Sequence, residues 1–170
     1  WAGSDSTRSV SAVSMNSKNS FMTKDTDGYL WILVTNQTTS SGGGMWDLSA
    51  FRSVSIDSIS SWYWTGNMLA TDSSASSVKG SILPAGSGSN VWTVYNYDSH
   101  VAARKYTSPT WGSEEAVYDA TGTFTFVDTA PASAVVDSSG YVHVVYGDAT
   151  KASSLEKPHI WYRSRGASSW

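Results

Sequence analysis

Ser133-Ala-Val-Val-Asp137-Ser-Ser-Gly140-Tyr141-Val-His143-Val-Val-Tyr146, a polar loop, and then His159-Ile-Trp161-Tyr162-Arg163-Ser164 form the stretch that decides the fold. It reads as two strands of β-branched and aromatic residues joined by a tight Ser-Gly turn, with a third strand after the loop. The phrase occurs twice upstream. The first copy is Ser20-Phe-Met-Thr-Lys-Asp25-Thr-Asp27-Gly28-Tyr29-Leu-Trp31-Ile-Leu-Val34, then Ala50-Phe51-Arg52-Ser53, then Trp62. The middle copy is eroded to Gly88-Ser-Asn90-Val-Trp92-Thr-Val-Tyr95, followed by Val101-Ala-Ala-Arg104 and Trp111. Such landmarks, recurring at about 50–60 residues, are the mark of a repeat array or a propeller. A unit this small cannot bury its own faces, so stacking of copies must supply the core.

Each unit holds the same strand series. The central runs are Tyr29 to Thr35, Val91 to Tyr97 and Tyr141 to Tyr146, apolar on both faces, as expected of strands covered on both sides. The strands before them are Asn19 to Thr23, Ser76 to Leu83 and Ala132 to Asp137. Those after them are Ala50 to Ile56, Val101 to Thr107 and Ile160 to Ser164. A fourth strand per unit is expected at Ser9 to Met15, Met68 to Asp72 and Thr123 to Asp128. The units run roughly over 1–62, 63–111 and 112–170 of a single repeat domain. Ser113 to Asp119 is expected to be a loop or one helical turn, and no other stretch reads as helix. The expected fold is all-β and β-propeller-like, with about three four-stranded antiparallel blades.

Composition narrows the function classes. Serine makes up about a fifth of the chain and charged residues only 15%. Hydroxyl-rich, charge-poor composition favours strands and turns over helices, and it suggests an extracellular or cell-surface protein. The net charge is −3, with no basic cluster that would bind nucleic acid. No apolar stretch is long enough for a membrane-spanning helix. The absence of cysteine excludes disulfides, thiolate metal sites and a cysteine nucleophile. Asn36-Gln37-Thr38 is an N-glycosylation acceptor pattern. Gly42-Gly43-Gly44 lacks the lysine of a phosphate-binding loop, and Asp25-Thr-Asp27-Gly28 lacks the later ligands of a calcium loop. No metal or cofactor is therefore expected.

The third copy, with its Ile160-Trp161-Tyr162-Arg163-Ser164 strand and Trp170, resembles the sialidase-type β-propeller superfamily and its bacterial-neuraminidase-like repeats. It lacks that family's strict Asp-box spacing, so the resemblance is to generic blades. The resemblance implies a ring of radially arranged sheets, and three units are too few to close one. Trp1 and Trp170 both fall at the repeat's terminal Trp position, which predicts a whole number of units and a ring completed by association, two chains giving about six blades.

Several residues are candidates for ligand binding. Trp31, Trp92 and His143 occupy equivalent places and read either as flat faces for sugar stacking, or a base at His143, or as packing between blades. Arg52, Arg104 and Arg163 recur once per unit. They read as cations that fork onto an acidic sugar or as repeated structural arginines, and repetition favours the second. Trp62-Tyr63-Trp64 is too dense an aromatic cluster to be wholly buried in one strand, so it is a candidate interface. Asp25, Asp27, Asp137, Glu114 and Glu115 have no spacing that marks a glycosidase pair, and no catalytic residue is assigned.

The expected function is that of a non-enzymatic extracellular module for self-assembly, as a ring or fibre subunit, for glycan recognition, or for both. The partners are further copies of the chain and possible glycans. The alternatives are a fragment of a carbohydrate-active enzyme, a sialidase-like hydrolase or polysaccharide lyase, and a phage or cell-surface adhesin component.

Overall fold

The structure, a computed structural model, describes residues 19–40, 43–67, 78–97, 100–119, 124–125, 132–150, 159–166 and 169–170. Within them the fold is all-β and built from three antiparallel sheets. The first sheet is a meander in the order β1 (Asn19–Lys24), β2 (Leu30–Ser40), β3 (Gly43–Ser53), β4 (Trp62–Asn67). The second runs β5 (Lys79–Pro84), β6 (Val91–Tyr97), β7 (His100–Thr107). Its outer edge is shared by β8 (Thr110–Trp111) and β9 (Glu115–Asp119), both paired with β7. The third joins β11 (Ser133–Val136), β12 (Val142–Thr150) and β13 (His159–Arg165), with the two-residue β10 (Phe124–Thr125) on the end of β12.

The central strands of all three copies form where the apolar runs place them. One expectation fails. Ser113 to Asp119 is neither loop nor helical turn: Glu115–Asp119 is strand β9, because Val117 is needed in the core beside Val101 and Ala103. Ser9 to Met15 and Met68 to Asp72 fall outside the described residues, and only Phe124–Thr125 of Thr123 to Asp128 is a described strand. Among the described residues, the fourth position of the first two sheets is taken by the segments that follow the third strand, β4 and β8 with β9. Both edges carry a register shift, between Ala50 and Phe51 and between Val101 and Ala102. Such bulges twist an edge and blunt it.

The sheets pack face to face, with the second in the middle. β5 lies against β1 and β2 on one side and against β11 on the other. β6 shows why this works: Val91 through Asn96 are all buried, and alternate side chains enter opposite cores. Val91 and Tyr95 join Trp31, Leu33 and Ala50 of the first sheet. Trp92 and Val94 join Val142, Val144 and Tyr146 of the third. Trp170 packs against this second core. Among the described residues no helix is long and apolar enough to cross a membrane.

Candidate functional site

The most organised polar feature begins with a turn that occurs twice. In the third sheet, Asp137 Oδ1 accepts the backbone N–H groups of Ser139 (2.8 Å) and Tyr141 (2.9 Å). In the first, Asp25 Oδ1 accepts those of Asp27 (3.1 Å) and Tyr29 (2.9 Å). The glycines of the two turns, Gly28 at φ 94° and Gly140 at φ 83°, take the left-handed backbone that only glycine adopts cheaply. Each aspartate's second oxygen binds the ring six residues on. The Trp31 indole N–H donates to Asp25 Oδ2 at 2.8 Å, and His143 Nε2 lies 2.9 Å from Asp137 Oδ2.

The third copy extends this chain of bonds. His143 Nδ1 is 2.7 Å from the Tyr162 hydroxyl, with the two rings stacked at 6.0 Å and 18°. A neutral imidazole protonated on Nε2 satisfies all three groups: it donates to Asp137 and accepts from Tyr162. His143 and Tyr162 face each other across β12 and β13, on the side turned away from the core. Hydrogen bonds from His143 and from the Tyr141 backbone hold the Asp137 carboxyl below the usual aspartate range. Chemically, Asp137-His143-Tyr162 is an oriented acid–imidazole–phenol chain in contact with water.

The pairing register confirms that Trp31, Trp92 and His143 are equivalent: they sit opposite Thr23, Leu83 and Val135 of the preceding strands. Their surroundings differ. Trp31 and Trp92 are buried, Trp31 with Tyr106 and Trp111 edge-on to it, so neither offers a face to a sugar. These two tryptophans pack between sheets, and only His143 of the set is accessible.

The arginines do not form one set. Arg52 pairs in register with Trp31, whereas Arg104 pairs with Thr93 and Arg163 with Val144, one position along and on the opposite face. The residue equivalent to Arg52 is Lys105, and both cations lie over rings: Arg52 4.6 Å from Tyr29 and 6.0 Å from Trp31, Lys105 5.8 Å from Trp92. Arg104 approaches Glu114 at 4.0 Å, and Arg163 is exposed on β13. Of the aromatic cluster, Tyr63 and Trp64 are exposed on the edge strand β4 and Trp62 is half-buried. Asn36 lies in β2 opposite Asp47, and its side chain falls outside the described residues.

Three acidic partnerships escape a reading of the sequence. Asp25 caps Trp31. Glu114 accepts the hydroxyls of Tyr95 (2.7 Å) and Tyr97 (2.9 Å). Burial, reinforced by Glu114, pushes the Tyr95 phenol far above its ordinary range. Glu115 binds Arg165 through two guanidinium nitrogens, Nη2 at 2.9 Å, and Arg165 also lies 4.8 Å over the Trp92 ring, joining the second and third sheets. The first was findable, since Asp-x-x-Gly-Tyr-x-Trp and Asp-x-x-Gly-Tyr-x-His share one spacing. The other two join residues brought together only by pairing or stacking of sheets. Among the described residues, no group of three His, Asp or Glu side chains is placed to hold a metal ion.

No protein-family model, curated protein or solved structure matches this chain. What it does must be read from its own surfaces.

Proposed function

We propose that this chain is a non-enzymatic structural module: an arc of three propeller-like blades that associates through its open ends, outside the cell or at its surface. One observation carries the reading. Among the described residues, both end faces of the three-sheet stack carry large exposed apolar side chains. On the first sheet Met22 is 66% and Trp64 55% exposed, and on the third Val135 is 60% and Ile160 81% exposed. Monomeric soluble proteins rarely leave two such patches uncovered. The meander order of each sheet, and the packing of first strand beside first strand in β1, β5 and β11, suit the radial arrangement of blades. The low charge and high serine content favour the extracellular setting. Light scattering on the native chain tests the proposal. A particle of more than one chain is expected, and a monomer of 18.3 kDa at every concentration would sink it.

The Asp137-His143-Tyr162 chain favours a second reading, in which the third sheet binds or processes a glycan. Tyr141 is exposed beside it and suits sugar stacking. Under this reading Tyr162→Phe abolishes turnover of, or binding to, an oligosaccharide on an array while the melting temperature holds. An array that gives no signal for the native chain removes this reading.

A further inference from the structure

The register shows which faces should meet. This inference rests on the reading of the chain as an assembling arc. Among the described residues, the two contacts between sheets have the same polarity. The face of the first sheet that carries Trp31, Leu33 and Ala50 packs on the second sheet's Val91 and Tyr95 face. The second sheet's Trp92, Val94 and Ala103 face packs on the third sheet's Val142 and Tyr146 face. By register, Trp92, Val94 and Ala103 are the equivalents of Trp31, Leu33 and Ala50. Val142 and Tyr146 are likewise the equivalents of Val91 and Tyr95. Each sheet thus has a leading face, turned to the next sheet, and a trailing face, turned to the previous one.

The two exposed ends are one of each. The third sheet's leading positions are His143, Val145 and Tyr162, and the last two are 43% and 60% exposed where Leu33 and Val94, Ala50 and Ala103 are buried. The first sheet's trailing face carries one apolar residue from each strand in a single register row, Met22, Ile32, Phe51 and Trp64. A leading face and a trailing face are what the chain already buries against each other twice.

We propose that the third sheet of one copy docks its His143-Val145-Tyr162 face onto the Met22-Ile32-Phe51-Trp64 face of a second copy, head to tail. Such a contact is heterologous: two different patches meet, so its repetition closes a ring or continues as a filament. His143 and Tyr162 on the leading face are hydrogen-bonded to each other, and His143 to Asp137, so docking leaves neither ring's polar atoms without a partner. Tyr162 stands where the internal contacts have alanine, so the docked sheets sit farther apart than the internal ones.

The test uses the full chain and two double variants at exposed positions: Met22→Lys with Trp64→Lys on the trailing face, and Val135→Lys with Ile160→Lys on the leading face. Near-ultraviolet circular dichroism checks that each keeps its packed aromatic cores. By light scattering the native chain is expected to assemble and each variant alone to fall to 18.3 kDa. A one-to-one mixture of the variants is expected to recover a heterodimer, because each retains the face the other lacks. Four results overturn the inference. If both variants keep the native mass, assembly stands but these faces do not make it. If only one variant dissociates, the contact joins two like faces. If both dissociate and the mixture fails to pair, the two faces do not meet each other. A native chain that is itself monomeric removes the assembling-arc reading along with this contact.

Discussion

The first and third sheets carry the same aspartate turn in two settings. In the first, Asp25 is 4% exposed, its indole partner Trp31 lies wholly in the core, and the loop after β3 folds over the turn. The Asp57 N–H donates to the Gly28 carbonyl at 3.0 Å. Thr26 and Ser89 complete the cover by tying this turn to that of the second sheet, through Gly88 and Asp27. In the third, Asp137 and His143 are open to water, and a Cβ built on Gly140 would meet nothing within 4 Å. One local device thus serves two purposes. Covered, it allows an indole N–H to be buried without loss of its hydrogen bond. Open, it orients an imidazole on an exposed face.

Removing the carboxylates gives the largest contrast. Asp25→Ala strands a buried indole N–H and two turn N–H groups, and unfolding in urea should show a loss of about 3 kcal/mol or more. Asp137→Ala should cost clearly less, since water replaces the lost acceptor. Equal losses would mean that burial does not set the value of the turn.

Exchanging the rings comes next. Trp31→His keeps a ring N–H for Asp25 but removes the edge contacts with Tyr106 and Trp111, and should cost about 2–4 kcal/mol. The reverse change, His143→Trp, should stay within about 1 kcal/mol because that face is open. Thermal or urea denaturation of both variants measures the asymmetry.

The glycines separate backbone strain from crowding. A Cβ at Gly28 would lie 2.8 Å from Ile56 Cγ2, so Gly28→Ala adds a clash to the cost of its left-handed φ. Gly140→Ala carries the backbone cost alone, about 1–2 kcal/mol. The double variant Gly28→Ala with Ile56→Ala should bring the first position down to the level of the second.

The smallest effect is a pH dependence. Asp137 has a folded-state pKa below its unfolded value of about 3.9. Its carboxylate therefore stabilises the fold above that value, and the contribution is lost as pH falls through the lower, folded one. The gap in melting temperature between the native chain and Asp137→Asn should be constant near neutrality and shrink in acid. A gap that widens on acidification would contradict the hydrogen bonding described.

Much of this was legible before any coordinates. The apolar runs at 29–35, 91–97 and 141–146 read as strands covered on both sides; all three are strands, but only β6 is buried on both faces, and β2 and β12 are covered on one. Periodicity reports which side chains need burial, and that need does not depend on what covers them. Trp92 and Val94 needed a core, and the sequence alone says so. It does not say that Val142 and Tyr146 would provide it. Nor does it place Glu115 against Arg165, or Lys105 rather than Arg104 in the register position of Arg52. Spacing along a chain determines which face a side chain takes within one strand. Which strand lies beside it, and which face is left for water, depends on contacts closed across tens of residues, and only the tertiary structure decides them.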